Sequence, residues 1–365
     1  MDSKRNILLT PGPATTTETV KMAQIVPDIC PRENEFTELI TKINESLINI
    51  VTKKPSNYAC TLFGGSGTAV VESMLSSVVC QDSYVLIINN GAYGKRMVEI
   101  AEIHDLNFIE YKSSGREKIN IKDIKQNILD DNKITHIAVV HHETTTGILN
   151  SIEKVGALAK HYNIELLVDG ISSYGAIDID MDKIGISHLA ATSNKNLQGT
   201  AGVGFIISSQ SSLSKLDSKN RKTLYLDLYS QYKYLLNKGQ FHFTPPVQTL
   251  YALNQAINEL QLETVNGRYK RYSKSWKILV DGMDKLGFRQ FVPLINQSRL
   301  ICTFFEPQNF NYNNYHNYLL ERGITIYPGK IENQNTFRIG LIGDIDSNDI
   351  QLFLDYTKRY IERNQ

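Results

Sequence analysis

An α/β fold with a largely parallel sheet is predicted by three observations on this 365-residue chain. Short apolar runs rich in β-branched residues alternate with helical patterns through the first two thirds. Polar loops follow several of those runs directly. From about residue 247 the texture changes to long helices interspersed with short strands, which predicts a smaller α+β unit after the sheet.

Taken in order, the glycine-rich stretch "TLFGGSGTAVVESMLSSVV" (61–79) sets Gly64, Gly65, Ser66, Gly67 and Thr68 immediately before an apolar helical pattern. "YVLIINNG" (84–91) reads as a buried strand ending at a turn. "AEIHDLNFIEYK" (101–112) reads as a helix end and then a strand. "HIAVVHHETTTG" (136–147) is a strand running into a polar loop, and "SIEKVGALAKHYN" (151–163) an amphipathic helix with a serine at its start. "IELLVDGISSYG" (164–175), "HLAATSNK" (188–195) and "GVGFIISS" (202–209) supply further strands. Continuous apolar strands separated by helices indicate a sheet covered on both faces. "SSQSSLSKLDSKNRK" (208–222) is a polar surface or mobile stretch. Beyond it come the helical "VQTLYALNQAINELQLETV" and "RYKRYSKSWKILVDGMDKLGF", the short strands "LICTFF" and "TFRIGLIG", and the helical "NYHNYLLERG" and "SNDIQLFLDYTKRYIERN".

Charge is balanced, 39 Lys+Arg against 38 Asp+Glu, with no basic stripe or acidic tail, so nothing favours nucleic acid or an anionic membrane. The four cysteines (Cys30, Cys60, Cys80, Cys302) have neither C-x-x-C nor metal-ligand spacing, which suits a reduced, cytoplasmic chain. The opening "MDSKRNILLTPGP" does not read as a signal peptide, and no segment approaches the roughly 20 apolar residues of a membrane span.

Ligands of open parallel sheets gather at the carboxyl ends of the strands. Four loops here, "NNGAYGKR", "HHETTTG", "DGISSYG" and "SNK", follow strand-like runs and would converge on one edge. Each has a plain reading as well as a chemical one. The "GGSGT" loop is a helix cap or a phosphate cradle; it matches neither a Walker A loop nor G-x-G-x-x-G. Asp169 is a turn former or the partner of a cationic ligand atom. Tyr93 is a packed ring or a platform for a flat heterocycle. Thr144, Thr145 and Thr146 satisfy their loop or bind a phenolic oxygen. Lys195 is a surface lysine or a nucleophilic amine. Together, a phosphate cradle, an aromatic platform, a hydroxyl, a buried acid and a lysine are what pyridoxal 5′-phosphate (PLP) requires.

The stretches "LLTPGP" (8–13), "GGSGTAVVES" (64–73), "NNGAYGKRM" (89–97), "HHETTTGILN" (141–150), "VDGISSYGAI" (168–177), "SNKNLQG" (193–199), "HFTPPVQTLYAL" (242–253), "IYPGK" (326–330) and "FRIGLIGD" (337–344) resemble the 2-aminoethylphosphonate–pyruvate transaminases. These belong to the fold-type I, class V aminotransferases, alongside alanine/serine–glyoxylate enzymes. The matches run in order over nearly the whole chain. The resemblance implies an N-terminal active-site segment (1–20), a large PLP-binding domain (21–255) with a mostly parallel seven-stranded sheet sandwiched by helices, and a small C-terminal domain (256–365). It also implies roles. Lys195 would be the Schiff-base lysine and proton shuttle, and Asp169 the partner of the pyridine nitrogen. Ser66, Gly67 and Thr68 would bind the phosphate, Tyr93 would stack on the ring, and Thr144 would contact the 3-hydroxyl. Thr244 would reach the phosphate of a neighbouring subunit, which implies a homodimer with shared sites. Arg338 would bind the substrate carboxylate, and the turn at Gly12 would close over the substrate.

Residues 28–36, "DICPRENEF", resemble an arginine-containing stretch of the glyoxylate branch. Arg32 is therefore a candidate second cation for the phosphonate, the other reading being a surface ion pair with Glu33 or Glu35. The implied chemistry moves the amino group of 2-aminoethylphosphonate to pyruvate, giving phosphonoacetaldehyde and L-alanine. Alanine– or serine–glyoxylate transamination is the alternative within the class. Against a desulfurase stands the absence of a cysteine from any evident active-site loop of this chain. A non-catalytic phosphate- or nucleotide-binding α/β protein is the alternative from another class.

Overall fold

A computed structural model of the chain describes residues 6–217, 221–329 and 331–364. Residues 1–5 of the expected N-terminal segment, 218–220 of the polar stretch and Lys330 of "IYPGK" lie outside them.

The central sheet has seven strands: β1 (Tyr58–Gly64), β2 (Tyr84–Asn89), β3 (Asn107–Lys112), β4 (Ile134–Val140), β5 (Glu165–Asp169), β6 (Ile186–Thr192) and β7 (Val203–Ser209). Their spatial order is β1-β7-β6-β5-β4-β2-β3. All pairings are parallel except the two made by β7, which runs antiparallel to both β6 and β1. The expected largely parallel sheet is therefore present, with one reversed strand. The ten residues 193–202 between β6 and β7 are too few for a helical crossover, so β7 has to return beside β6 in the opposite sense.

Alternation along the strands sends neighbouring side chains into two different cores. Leu86, Ile88, Ile137, Val139, Leu166, Val168, Leu189 and Phe205 join one cluster; Val85, Ile87, Ala138, Val140, Leu167, Ala190 and Ile206 join the other. Helices cover both faces: α1 (Asn34–Val51), α2 (Gly67–Val78), α3 (Ala92–Ile103), α4 (Ile121–Asp130), α5 (Ile152–Tyr162), α6 (Leu228–Lys238) and α7 (Val247–Glu263). The first cluster takes in residues of α1, α4, α5 and α7, the second residues of α2, α3 and α6. Because both faces are buried, the strands read as near-continuous apolar runs rather than alternating ones.

The helix α8 (Val265–Lys285) leads to a three-stranded antiparallel sheet of β8 (Ile301–Phe305), β9 (Tyr327–Pro328) and β10 (Thr336–Gly340), in the order β8-β10-β9, with α9 (Tyr312–Leu320) and α10 (Ser347–Asn364). A separate cluster forms there, with Trp276, Leu279, Phe304, Tyr315, Phe337, Ile339 and Phe353. Ile7 and Leu9 belong to it as well, so the N-terminal segment packs on the C-terminal unit. It does so through hydrogen bonds from Ile7 N to Gly323 O and Leu9 N to Thr325 O, each 2.8 Å.

Candidate active site

The carboxyl ends of β2, β4, β5 and β6 carry the four loops singled out above, and the fold brings them to one edge of the sheet. A cavity of about 490 Å³ opens there, lined by residues that include Ser66, Gly67, Thr68, Tyr93, Arg96, Asp169 and Lys195. A narrow extension adds His142, Thr144 and Ser172. The size is within the range of small-molecule and cofactor sites.

One wall is the start of α2. Ser66 is its N-cap and its hydroxyl accepts from Ala69 N at 3.4 Å. The loop is tied to the far side of the cavity by Gly65 N, which donates to Gly202 O at 2.9 Å. A Cβ on Gly67 would come within 2.9 Å of Ile171 Cδ1, so a side chain there would have to push Ile171 aside. Unbonded N–H groups at a helix start, with hydroxyls beside them, suit an anion.

The floor is Asp169, the last residue of β5. Its Oδ1 accepts from Ile171 N at 2.9 Å. Burial pushes its carboxyl up to about 6, the Ile171 N–H pulls it down, and Glu143 adds to the rise. Lys195 lies opposite, in the β6–β7 connection, and its Nζ donates to Pro11 O. Burial lowers its ammonium to about 8; Arg338 and Arg96 push the same way, and Asp169 opposes. The N-terminal turn lies directly over this lysine. Gly12 has φ +123°, and a Cβ there would collide with Lys195 Nζ. Ala14 N donates to Asn194 O at 3.0 Å, which fastens the turn to the lysine loop.

Two buried polar groups stand out. Thr144 and Arg338 are each 1% exposed, and Thr144 Oγ1 and Arg338 Nη2 have no hydrogen-bond partner in the protein. Arg338, on β10, spends its other donors on Pro328 O (Nε, 3.0 Å) and Thr144 O (Nη1, 3.3 Å), with its guanidinium 4.9 Å from the Tyr327 ring centre. Other buried atoms lack partners too, Ser73 Oγ and Ser275 Oγ among them, but these two lie beside Lys195, where a ligand's oxygens would satisfy them.

Sequence reasoning missed three groups. Arg96, one helical turn beyond Tyr93, holds its guanidinium 4.7 Å from that ring's centre and donates to Thr68 Oγ1 at 3.1 Å. Its i,i+3 spacing from Tyr93 was the available signal. Glu143, fully buried, accepts from Tyr93 N (3.0 Å), Gly94 N (3.3 Å) and Thr145 N (3.2 Å) and from the Thr145 hydroxyl. It thereby caps α3, which begins at Ala92, and fixes the loop of Thr144; burial holds its carboxyl above the usual range despite those donors. His142 donates from Nδ1 to Ser172 O at 3.1 Å and accepts at Nε2 from Ser298 Oγ at 2.8 Å, a neutral tautomer that fits a value lowered to about 4 by burial.

Four expected site residues are absent from the cavity's lining: Gly12 and Arg338, which sit against Lys195 and Thr144, and Thr244 and Arg32, which lie elsewhere in the chain. Thr244 is exposed and absent from its lining. Arg32 lies away from it: Nη1 donates to Phe241 O at 2.6 Å and Nη2 to His242 O at 3.3 Å. Among the described residues no ion pair joins Arg32 to Glu33 or Glu35, so the surface-pair reading is corrected: the backbone carbonyls of Phe241 and His242 take the guanidinium instead.

The class follows from fold and site together. The chain belongs to the aminotransferase class-V family, whose model matches residues 29–353. Over 358 residues it is 40% identical to proteins named 2-aminoethylphosphonate--pyruvate transaminase from Bacillus cereus (strain AH820) and Bacillus anthracis (strain CDC 684 / NRRL 3495), covering 97% of this chain and 98% of each relative. Among solved structures, the fold is shared by an alanine--glyoxylate aminotransferase from Nostoc sp. (TM-score 0.91, 23% identity, 99% of this chain and 96% of that one). It is shared too by a ureidoglycine-glyoxylate aminotransferase from Bacillus subtilis (TM-score 0.91, 21% identity, 100% and 94%). PLP is the cofactor of this class, and the cavity fits it: a glycine cradle, an acid on the floor, a desolvated lysine and an orphaned threonine hydroxyl lie around one space.

Proposed function

We propose that this chain moves the amino group of 2-aminoethylphosphonate to pyruvate, producing phosphonoacetaldehyde and L-alanine. The observation that carries the reading is the partnerless pair Thr144 Oγ1 and Arg338 Nη2 beside Lys195 and Asp169, in a chain similar end to end to transaminases of that name.

Bound PLP supplies an aldehyde that condenses with amines and a protonated ring that withdraws electrons from the carbon losing its proton. The protein's own groups do the rest. Asp169 holds a negative charge on the floor, stabilising a ring proton. Ser66, Gly67 and Thr68 take the phosphate at the α2 start, Tyr93 supports the ring face, and Thr144 Oγ1 bonds the phenolic oxygen. With its ammonium lowered to about 8, Lys195 has a usable fraction of free amine near neutral pH, and its Nζ takes and returns the proton of the amine-bearing carbon. Arg338 Nη2 binds the carboxylate of pyruvate, and the phosphonate in the other half-reaction. The turn at Gly12 excludes water above Lys195.

Arg96 is the one permanent cation among the described cavity-lining residues apart from the lysine consumed by the cofactor, so we assign it to the phosphate. Arg96→Gln is expected to weaken PLP binding by about 10- to 100-fold and to leave the binding of pyridoxal, which has no phosphate, nearly unchanged. Fluorescence titration of cofactor-free protein with both compounds decides it; equal losses would reject the assignment.

The homodimer and a cytoplasmic location belong to the same reading. An exposed Thr244, on a segment braced by Arg32, is free to enter a second subunit's cavity. Every cysteine is unpaired and, among the described residues, no helix is long and apolar enough to cross a membrane. The decisive experiment incubates PLP-loaded protein with 2-aminoethylphosphonate alone and follows conversion of the cofactor to its amine form by absorbance. Pyruvate should restore the starting spectrum with one alanine formed per site. Conversion by alanine or serine together with none by 2-aminoethylphosphonate would sink the proposal in favour of glyoxylate-type transamination.

A further inference from the structure

Behind the lysine loop, on the side away from the cavity, the first turns of α8 carry a compact group of hydrogen bonds. Arg268 is 1% exposed, and its Nη1 donates to the carbonyls of Asn196 and, at 3.3 Å, Leu197, the two residues that follow Lys195. Its Nε donates to Glu263 Oε2 at 2.6 Å. Glu263 Oε1 accepts from Arg271 Nε at 2.6 Å, and Arg271 Nη1 reaches Gly343 O (2.9 Å) and Ile345 O (2.7 Å). Between them, the Tyr272 hydroxyl oxygen accepts from Gln198 Nε2 at 2.7 Å and Gly343 N at 2.9 Å. Gly343 lies just past β10, the strand of Arg338, and the adjoining Asp344 N donates to Thr15 O of the N-terminal segment at 2.8 Å.

From this juxtaposition we propose that Arg268, held by Glu263, is a positioning residue that fixes the backbone under Lys195 and sets its spacing to the strand carrying Arg338. The inference rests on Lys195 being the cofactor-bearing lysine. Residues 195–199 form no helix or strand, so no regular ladder holds the Cα of Lys195 in place; the buried guanidinium does, by clamping the next two carbonyls. Within the stretch Gln198 N donates to Lys195 O at 3.0 Å and Gly199 N to Ser193 O at 2.9 Å; Asn196 Nδ2 donates to Ser172 O at 2.9 Å, which ties it to the Asp169 loop and leaves the α8 side to Arg268 and Tyr272. A fork with several donors can hold two carbonyls and a carboxylate together; a lysine ammonium, a point donor on a flexible stem, cannot reproduce that geometry. An amine that must meet a reacting carbon loses rate steeply when displaced by about 1 Å.

The test uses Arg268→Met, Arg268→Lys and Glu263→Gln in the full chain. Cofactor-free protein is labelled with acetic anhydride across pH, and the Lys195 peptide is quantified by mass spectrometry. The groups that set this titration are Asp169, Arg96 and Arg338 around Nζ, with His142 adjoining. In Arg268→Met the labelling midpoint of Lys195 should move upward by about one pH unit as the loop loosens toward water. Loaded with PLP, the variant should lose about 10- to 100-fold in kcat, with KM for both substrates within about threefold of the parent. Arg268→Lys should recover part of the loss and Glu263→Gln should fall between. A folded Arg268→Met with the parent's midpoint and kcat, whatever its thermal stability, would overturn the proposal. Should that variant not fold, the same two readouts on Arg268→Lys and Glu263→Gln decide. Absence of any borohydride-fixed cofactor on Lys195 of the parent would instead remove the functional reading, a separate and recognisable result.

Discussion

Lys195→Ala is expected to lower transamination by about 10⁴-fold or more, with PLP still bound but no longer fixed to the protein by borohydride. The expectation comes from the two tasks we propose for Nζ at one place: to hold the cofactor covalently and to carry the proton. Its environment is arranged for both tasks. Burial, with Arg338 and Arg96 nearby, lowers the ammonium from 10.5 to about 8. A native value below the unfolded one means that the protonated form is disfavoured in the folded protein. The resulting strain is fully present below pH 8 and is relieved as pH rises from there towards 10.5. Activity of the parent should therefore climb between about pH 7 and 8.5, measured as kcat at saturating substrates. A variant retaining more than about a hundredth of the parent's kcat would show that another group moves the proton.

Asp169→Asn should produce the second large effect, in two opposite directions. Activity should fall by about 10²- to 10³-fold, because a neutral amide cannot balance a protonated ring. The cofactor-free protein should become more stable at neutral pH. The carboxyl of Asp169 rises from 3.8 to about 6, chiefly by burial. Folded protein thus binds this proton more tightly than the unfolded chain does, and stability contributed by the group declines as pH rises from about 4 to 6. Above pH 6 the penalty is complete, about 3 kcal/mol by the conversion from pKa to free energy. The amide avoids it, so the melting temperature without cofactor should rise at pH 7 and not at pH 3.5, and addition of PLP should reverse the ranking. A site that binds a cation from its ligand is expected to be strained when empty, which is a common trade of stability for function. Equal melting temperatures of parent and variant at pH 7 would remove the strain argument.

Much of the site was legible because its residues are local signals at strand ends. Asp169 closes "IELLV", Lys195 follows "HLAAT", and the four polar loops share an edge as soon as their strands are parallel. Less legible was anything decided by distant partners. β1 was read only as the approach to a glycine loop, since Ala59, Cys60 and Thr61 dilute its apolar pattern; pairing along its whole length with β7 makes it a strand. The reversal of β7 was encoded in the shortness of the 193–202 connection, a signal that composition alone does not expose. Arg32 read as a cation for the phosphonate or as an ion-pair partner of Glu33 or Glu35, whereas residues 241–242, more than 200 positions away, supply carbonyls for it. Glu143 and Arg268 are of the same kind: their meaning lies in which backbone groups surround them, and a single sequence lists side chains without saying what faces them.

The reversed strand has a consequence for how such a molecule can change over time. Between β6 and β7 the chain is cross-tied, with Ser193 N bonded to Val203 O (3.0 Å) and Gly199 N to Ser193 O (2.9 Å). Adding or removing one residue there would shift a strand flanked on both sides and turn its side chains to the opposite core. Length in this segment is therefore frozen, whereas the exposed joints between helices and strands elsewhere can drift. Specificity for new amino donors must then arise at the periphery, in the N-terminal turn and around the small antiparallel sheet, while Lys195, the lysine proposed to react, stays where the hairpin puts it.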